Sequence, residues 1–244
     1  MAEWFKDWFD SSEYLEVYKH RNDEDARRLF KLILGNVSIR PGGSVLDIAC
    51  GAGRHSVLFS SAGYKVTAFD LSRNLLQVAK RKSRELQLDI DFFNADVRHP
   101  ALKKQFDLII NLFTSFGYFE SDEENFALFN DANELLCEKG FFVFDYFNIF
   151  FLKKNLVAET TDSANGRTVI QKRAIIKNRV VKEIRLINSS GEKTYTESVC
   201  LYAEDEIVCA LENAGLKAVK TFGDYAGGAF SKEKSQRLII IAGK

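Results

Sequence analysis

Two glycines and one carboxylate in the first third of the chain are the residues best placed for chemistry. Gly51 and Gly53 follow the apolar run Ser44–Ile48 and precede a helical pattern that begins near Arg54. Because glycine has no Cβ, such a turn can adopt positive φ and lets a ligand approach bare backbone, and the helix behind it offers unpaired N–H groups. Asp70 ends the next apolar run, where the second strand of a βαβ unit places a carboxylate on ribose hydroxyls. Together these signals predict a nucleotide-type cofactor.

The residues around this turn carry a family resemblance. The turn reads Asp47-x-Ala-Cys-Gly-x-Gly-Arg-His55, and the next strand ends Val-Thr-Ala-Phe-Asp70-Leu-Ser. This combination resembles the class I S-adenosylmethionine-dependent methyltransferases, particularly small bacterial ones with a Gly-x-Gly-Arg-His turn. Ser56 stands where the dinucleotide fingerprint needs a third glycine, which argues against a nicotinamide dinucleotide. An NAD-linked oxidoreductase and a non-catalytic protein that binds S-adenosylmethionine remain the alternatives.

The resemblance implies S-adenosyl-L-methionine as cofactor, S-adenosyl-L-homocysteine as product, and methyl transfer to a small molecule by in-line displacement. It implies that the glycine turn holds the adenosyl end, that Asp70 binds the ribose, and that Asp96 and Val97 bind adenine. The cofactor contacts expected on this basis are Asp47, Ala49, Gly51, Gly53, Arg54, Asp70, Leu71, Asp96, Val97, Asn111 and Phe113.

The acceptor is expected beside residues 111–119, which follow the fourth predicted strand. Ligands of open α/β sheets bind at this carboxyl edge. The four rings of the segment, Phe113, Phe116, Tyr118 and Phe119, are interpreted as a pocket wall, with core packing as the alternative. Leu-Phe-Thr114 replaces the Pro-Pro motif of relatives that methylate DNA bases, which disfavours that substrate class. The expected acceptor-pocket residues are Tyr14, Tyr18, Arg21, Thr114, Ser115 and Tyr118.

The catalytic residue is left open. His20 and Tyr118 are the candidates for a general base, and His55 is interpreted as a first-turn helix residue packed beside the cofactor. A base is needed only if the acceptor arrives protonated. Asp145 and Asn148, just beyond the fifth predicted strand, are interpreted either as substrate contacts or as hydrogen-bonded turn residues.

The resemblance and the alternation of strand and helix patterns predict an α/β protein with a Rossmann-like, doubly wound sheet of mostly parallel strands. Residues 216–222 and 237–242 are joined by a loop too short for a crossover helix, so the last strand should be antiparallel. Residues 1–244 are interpreted as a single domain. Within it, residues 1–35 are expected to form an N-terminal helical lid, or else to pack their rings on the main domain.

In residues 160–202 apolar and polar residues alternate with a period of two, which predicts a small antiparallel β insertion of three strands. The Lys and Arg side chains of this insertion are interpreted as a solvated face, with a substrate lid or a dimer surface as the alternative. A monomer or a homodimer is expected.

The amino-acid composition disfavours nucleic acid as a partner. Lys plus Arg equals Asp plus Glu, 34 each, so no overall basic field attracts nucleic acid. The four cysteines lack metal-ligand spacing and are interpreted as buried free thiols in a reducing compartment, with no metal site. The N-terminus lacks the apolar run of a signal peptide, and no membrane span is recognised, so a cytoplasmic protein is expected.

Overall fold

Strands and helices alternate through the first two thirds of the chain, and a run of strands follows. The computed structural model describes residues 3–18, 23–164, 166–189 and 191–244. The helices are α1 (Trp4–Phe9), α2 (Ser12–Val17), α3 (Asp23–Leu34), α4 (Arg54–Ser61), α5 (Arg73–Glu85), α6 (Asp122–Leu135), α7 (Ile149–Asn155) and α8 (Glu204–Asn213). The strands are β1 (Ser44–Ile48), β2 (Lys65–Asp70), β3 (Ile90–Asn94), β4 (Phe106–Asn111), β5 (Leu136–Phe147), β6 (Glu159–Ala164), β7 (Arg167–Ile176), β8 (Arg179–Asn188), β9 (Gly191–Cys200), β10 (Lys217–Phe222) and β11 (Arg237–Gly243).

The main sheet, as far as the described residues define it, has seven strands in the order β10-β11-β5-β4-β1-β2-β3. Strands β1 to β5 are parallel to one another, whereas β11 is antiparallel to both β5 and β10. The predicted fold class and the antiparallel last strand are therefore confirmed. The strand order reverses between β1 and β4, and in open α/β sheets the ligand crevice lies at such a switch point.

Helices cover both faces of the main sheet. Successive strand residues point to opposite faces, so Val45 packs with the layer of α3, α4 and α5, whereas Leu46 packs with the layer of α6 and α8. Phe59 and Leu29 fill the first layer and Phe129 fills the second. Because both faces are buried, the parallel strands read as nearly continuous apolar runs.

A second, smaller sheet forms the insertion, with the order β6-β7-β8-β9 and antiparallel pairing throughout. The prediction of three strands missed β6, whose sequence Glu-Thr-Thr-Asp-Ser-Ala has no apolar alternation. The prediction of a solvated basic face is wrong for Lys182, whose side chain is 13% exposed. This lysine lies on the inner face of the sheet, beside the N-terminal segment.

The N-terminal helices α1 and α2 pack on the inner face of the insertion sheet. Trp8 and Val17 form an apolar cluster with Ile184 and Leu186, and Trp8 is 1% exposed. The indole N–H of Trp8 donates to a carboxylate oxygen of Glu197 at 2.7 Å. The N-terminal segment and the insertion sheet therefore form one continuous layer.

The four cysteines are all free. The prediction that they are buried holds for Cys200 alone, because Cys50 and Cys137 are half-buried and Cys209 is exposed. In the part of the chain that the structure describes, no helix combines the length and apolar character needed to cross a membrane. Those residues also contain no grouping of three or more His, Cys, Asp or Glu side chains suited to a metal ion.

Candidate active site

A cavity of about 590 Å³ lies at the carboxyl edge of the main sheet, a size typical of small-molecule and cofactor sites. The turn after β1 and the ends of β2 and β4 form one side of it, and α1, α2 and the insertion sheet form the other. The predicted cofactor residues that line it are Asp47, Ala49, Gly51, Arg54, Asp70, Leu71, Asp96, Val97 and Phe113. The predicted acceptor residues that line it are Tyr14, Tyr18, Thr114, Ser115 and Tyr118.

The two glycines of the turn have different surroundings. Both have left-handed backbone, with φ of 56° at Gly51 and 73° at Gly53. A Cβ on Gly51 would meet only Leu75, at 3.9 Å, and the residue faces the cavity. A Cβ on Gly53 would lie 2.9 Å from the Cβ of Ala79 and 3.3 Å from the ring of Phe92. Gly53 therefore packs α4 closely against α5 and β3. It was predicted to contact the cofactor, but it does not line the cavity.

Asp70 joins the glycine turn to the start of α5. It is 8% exposed, and its two carboxylate oxygens accept from the backbone N–H of Gly51 and of Ser72, each at 2.8 Å. Burial raises the pKa of this carboxyl above its ordinary value. A carboxylate has about four acceptor positions, so the backbone N–H groups of Gly51, Ser72 and Leu71 leave capacity for a ligand hydroxyl.

Asp47 and His55 are buried on either side of the same turn. Burial raises the pKa of Asp47 to about 7, although Ser56 donates its hydroxyl to this carboxylate at 2.5 Å. Burial lowers the pKa of His55 to about 3, so the imidazole is neutral near pH 7 and is a poor general base there. Its ring lies 5.1 Å from that of Phe113. His55 is thus a packed first-turn residue beside the cavity, as its position in the sequence suggested.

Asp96 is held by an ion-pair network. Arg98 donates from Nε to Oδ1 at 3.0 Å and from Nη2 to Oδ2 at 2.6 Å, and it also pairs with Glu3 and Glu124. Burial acts to raise the pKa of Asp96, but the bonds from Arg98 outweigh it and hold the pKa below its ordinary value. The network fixes this cavity wall and ties the start of α1 to it.

The loop after β4 contains two successive non-glycine residues in the left-handed region, Phe113 at φ 56° and Thr114 at φ 64°. Such backbone costs energy and persists only where its surroundings hold it. Here Asp145 accepts from the Phe113 N–H through its carboxylate at 2.9 Å and from the Thr114 N–H through its backbone carbonyl at 3.0 Å. Arg237 bonds both the Asp145 carboxylate and the Thr114 hydroxyl. Asp145 thus supports the loop from behind and does not line the cavity.

Comparison with known proteins agrees with this geometry. Residues 45–140 match the family model described as a methyltransferase domain. A Geobacillus sp. (strain WCH70) protein named as a methyltransferase is 24% identical over 82% of this chain and 84% of its own length. The dTDP-4-amino-2,3,4,6-tetradeoxy-D-glucose N,N-dimethyltransferase of Saccharopolyspora spinosa is 26% identical over 72% of each chain.

The crystal structure of an S-adenosylmethionine-dependent methyltransferase from Clostridium acetobutylicum ATCC 824 superposes with a TM-score of 0.83 at 19% identity, over 95% of this chain and 97% of that one. The chain is a class I S-adenosylmethionine-dependent methyltransferase. This assignment sets aside the NAD-linked alternative.

The cavity of this methyltransferase fits its cofactor in two observable respects. The backbone of Gly51 is uncovered on the cavity side, and the carboxylate of Asp70 retains acceptor capacity there. Apolar side chains of Phe69, Leu71 and Val97 line the same region and suit a purine ring. When bound, S-adenosylmethionine supplies the methyl group on a sulfonium, which is already a good leaving group.

Some predicted residues of the methyltransferase lie elsewhere. Asn111 is fully buried, and its amide donates to the carbonyls of Ile48 at 3.3 Å and Ser115 at 3.2 Å, so it braces the loop and does not line the cavity. Phe116 packs in the core against Phe129 and is not part of the pocket wall. Asn148 caps α7 and binds carbonyls of residues 231–235. The candidates His20 and Arg21 lie outside the described residues.

Several cavity residues were not predicted from the sequence. They are Asp25 on α3, Arg173, Lys182 and Glu197 on the insertion sheet, and Arg237 on β11. The period of two in the insertion shows that alternate residues share a face, but it does not show which face meets the main sheet. Arg237 could not be found because its partner Asp145 is 92 positions away.

Proposed function

We propose that this methyltransferase transfers the methyl group of S-adenosylmethionine by in-line displacement to an amino nitrogen of a small molecule. The observation that carries the proposal is the continuity of the cavity. One side offers the turn of Gly51 and the carboxylate of Asp70, and the other offers tyrosine hydroxyls and carboxylates from the N-terminal segment, α3 and the insertion sheet. Donor and acceptor can therefore share one enclosed space.

The acceptor side suits an amine. Asp25 brings a carboxylate to the cavity, and Tyr14 and Tyr18 bring hydroxyl groups. The Saccharopolyspora spinosa relative, by its name, dimethylates an amino group of a dTDP-linked sugar. An amine of comparable type is the acceptor class that agrees with both observations.

Alignment of the two reactants is the main contribution expected of the protein. Holding reacting groups in line can supply roughly 7 to 11 kcal/mol of the barrier. The loop of Phe113 and Thr114, held by Asp145 and Arg237, supplies a rigid wall at the edge where the methyl group is expected. The guanidinium of Arg54 lies over the Phe113 ring, 4.8 Å from its centre, and helps to hold the ring in this wall.

Tyr118 is assigned an orienting role in this proposal. Its hydroxyl donates to the backbone carbonyl of Thr114 at 2.8 Å, which fixes the phenol ring on the cavity wall beside the loop after β4. His55 is excluded as the base near pH 7 by its pKa of about 3. The amine is therefore expected to bind in its neutral form and to lose its proton after transfer.

The N-terminal segment is proposed to act as a lid. Its rings Trp4, Phe9 and Tyr14 line the cavity opposite the glycine turn. Its residue Asp10 accepts from the Ser72 hydroxyl at 3.0 Å and from the Asn74 N–H at 2.9 Å, at the start of α5. Closure over both ligands would exclude water from the reacting groups.

The proposal is tested with S-adenosylmethionine carrying a labelled methyl group. The purified protein is incubated with this donor and a panel of amino sugars, other primary amines, and hydroxyl and carboxyl compounds. Label in a base-stable product from an amine, with release of S-adenosylhomocysteine, is the expected result. Label in base-labile esters, or in hydroxyl compounds alone, would contradict the amine assignment. Cofactor binding with no transfer to any acceptor, including a metabolite extract, would favour the non-catalytic alternative.

A further inference from the structure

One row on the inner face of the insertion sheet consists of three charged residues. Arg173, Lys182 and Glu197 are direct register partners across β7, β8 and β9, and all three line the cavity. The rows on either side place Val180 and Val199, or Ile184 and Tyr195, on the same face. Three charged side chains therefore stand next to one another on the wall of the cavity.

The one negative charge of this row, on Glu197, already has three partners. The Glu197 carboxylate pairs with the Lys182 ammonium at 2.5 Å and accepts from the Trp8 indole at 2.7 Å and from the Tyr18 hydroxyl. The side chains of Lys182 and Glu197 are only 13% and 15% exposed. Glu197 therefore balances Lys182, and Arg173 adds one positive charge to the wall.

Arg173 makes hydrogen bonds to neutral oxygens. Its Nη2 donates to the side chain of Gln171 at 2.7 Å, and its Nη1 donates to the Thr160 hydroxyl at 3.1 Å and the Val157 carbonyl at 3.4 Å. Within residues 3–18, 23–164, 166–189 and 191–244, no carboxylate forms an ion pair with it. Like charges directly opposite each other in a sheet are unfavourable, and Lys182 stands directly opposite Arg173.

We propose that Arg173, with Lys182 beside it, binds an oxyanion group of the acceptor, a phosphate or a carboxylate. The inference rests on the proposed function, since it gives the amine acceptor a second, anionic recognition group. The planar guanidinium matches such oxyanions and binds them through charge-assisted hydrogen bonds. An anion at this position relieves the repulsion between Arg173 and Lys182 and fixes one end of the acceptor while its amine faces the donor.

The test is calorimetric titration of the full-length protein with two simple probes, inorganic pyrophosphate and malonate, each with and without saturating S-adenosylhomocysteine. The wild-type protein is expected to bind one of them, and the preferred probe distinguishes a phosphate-bearing from a carboxylate-bearing acceptor. Arg173→Gln should weaken that binding roughly tenfold or more, the loss expected for one charge-assisted hydrogen bond. Arg173→Lys, which keeps the charge, should retain part of the affinity.

The matched control is Lys172→Gln, which removes one positive charge from the adjacent, exposed position of the same strand and should leave probe binding unchanged. S-adenosylhomocysteine binding by each variant reports whether the fold and the cofactor site are intact. Absence of binding of both probes to the wild type, or equal affinity of wild type and Arg173→Gln, would overturn the inference. If S-adenosylhomocysteine fails to bind the wild type, the proposed function is in error, and the titrations without it still decide the anion site.

Discussion

Arg237 reaches the fully buried carboxylate of Asp145, with 2.9 Å between its Nε and Oδ1, and so joins β11 to the residue that holds the loop after β4. The same guanidinium donates to the Thr114 hydroxyl at 2.9 Å. A single arginine therefore balances a buried charge and fixes the loop against which the methyl group is expected to lie.

Arg237→Gln should both destabilise the protein and slow methyl transfer. Removing one partner of a buried ion pair leaves an unbalanced charge, and since Arg237 is 20% exposed the cost should be about 2 to 4 kcal/mol. Loosening of Thr114 should lower kcat more than it weakens cofactor binding. Urea denaturation and steady-state kinetics measure the two effects. Tyr225→Phe is the control, because it removes only the 3.1 Å bond from the tyrosine hydroxyl to Asp145 and should act far less. Equal effects of the two variants would contradict this role of Arg237.

Asp70→Ala should weaken S-adenosylhomocysteine binding by about 1 to 3 kcal/mol, the range for a lost hydrogen bond to a charged group. The variant loses the proposed ribose contact and also frees the backbone N–H groups of Gly51 and Ser72. Calorimetry on the variant and on Asp91→Ala, an exposed acid on the neighbouring strand β3, provides the comparison. Unchanged affinity in Asp70→Ala would remove this residue from the cofactor site.

The stability of the protein should depend on pH through two groups that act in opposite directions. Asp47 has a folded pKa of about 7 against an ordinary 3.8, so its contribution is full below about pH 4 and is lost as the pH rises to about 7. His55 has a folded pKa of about 3 against 6.5, so its contribution is full above about pH 6.5 and is lost as the pH falls. Each slope is about 1.4 kcal/mol per pH unit, and between about pH 4 and 6.5 they oppose each other.

Single substitutions should separate the two slopes. In Asp47→Asn the free energy of unfolding should rise more steeply with pH between about 4 and 6.5 than in the wild type, because the Asp47 slope that opposes the His55 slope is removed. In His55→Gln it should fall with pH over the same window. Urea denaturation at several pH values measures both variants against the wild type, whose curve should be flatter. Parallel curves for all three proteins would show that neither group has the shifted pKa.

The sequence predicted the main sheet and the glycine turn because each is a local pattern. The apolar runs, Gly51 and Asp70 lie within about one βαβ unit, so their spacing carries the geometry. The sequence was misleading at Gly53 and Asn111. Gly53 packs closely against α5 and β3, and the Asn111 amide braces the loop after β4. A residue type that suits a cofactor also suits a tight turn, and only the surroundings distinguish the two uses.

The acceptor side could not be predicted because it is assembled from distant segments. Glu197 meets Trp8 across 189 positions and Tyr18 across 179. No local pattern marks Lys182 as an inward residue, since a shift of one position in register would turn it to solvent. The polar strand β6 and the short helix α7 also lack the periodicity that reveals longer elements.

Asp10→Ala should loosen the N-terminal segment without changing the core. Asp10 accepts from Ser72 and Asn74 at the start of α5, and its backbone carbonyl accepts from the Asn74 amide. Loss of the carboxylate removes bonds comparable to a helix cap, about 1 kcal/mol, so the amides of α1 and α2 should exchange with deuterium several-fold faster. Hydrogen-exchange mass spectrometry with and without S-adenosylhomocysteine measures this, and Asp7→Ala, an exposed acid on α1, is the matched control. If the segment is a lid, the cofactor product should slow exchange in the wild type and less so in Asp10→Ala. If the exchange rates of α1 and α2 change with neither the substitution nor the ligand, these helices are a fixed part of the cavity wall.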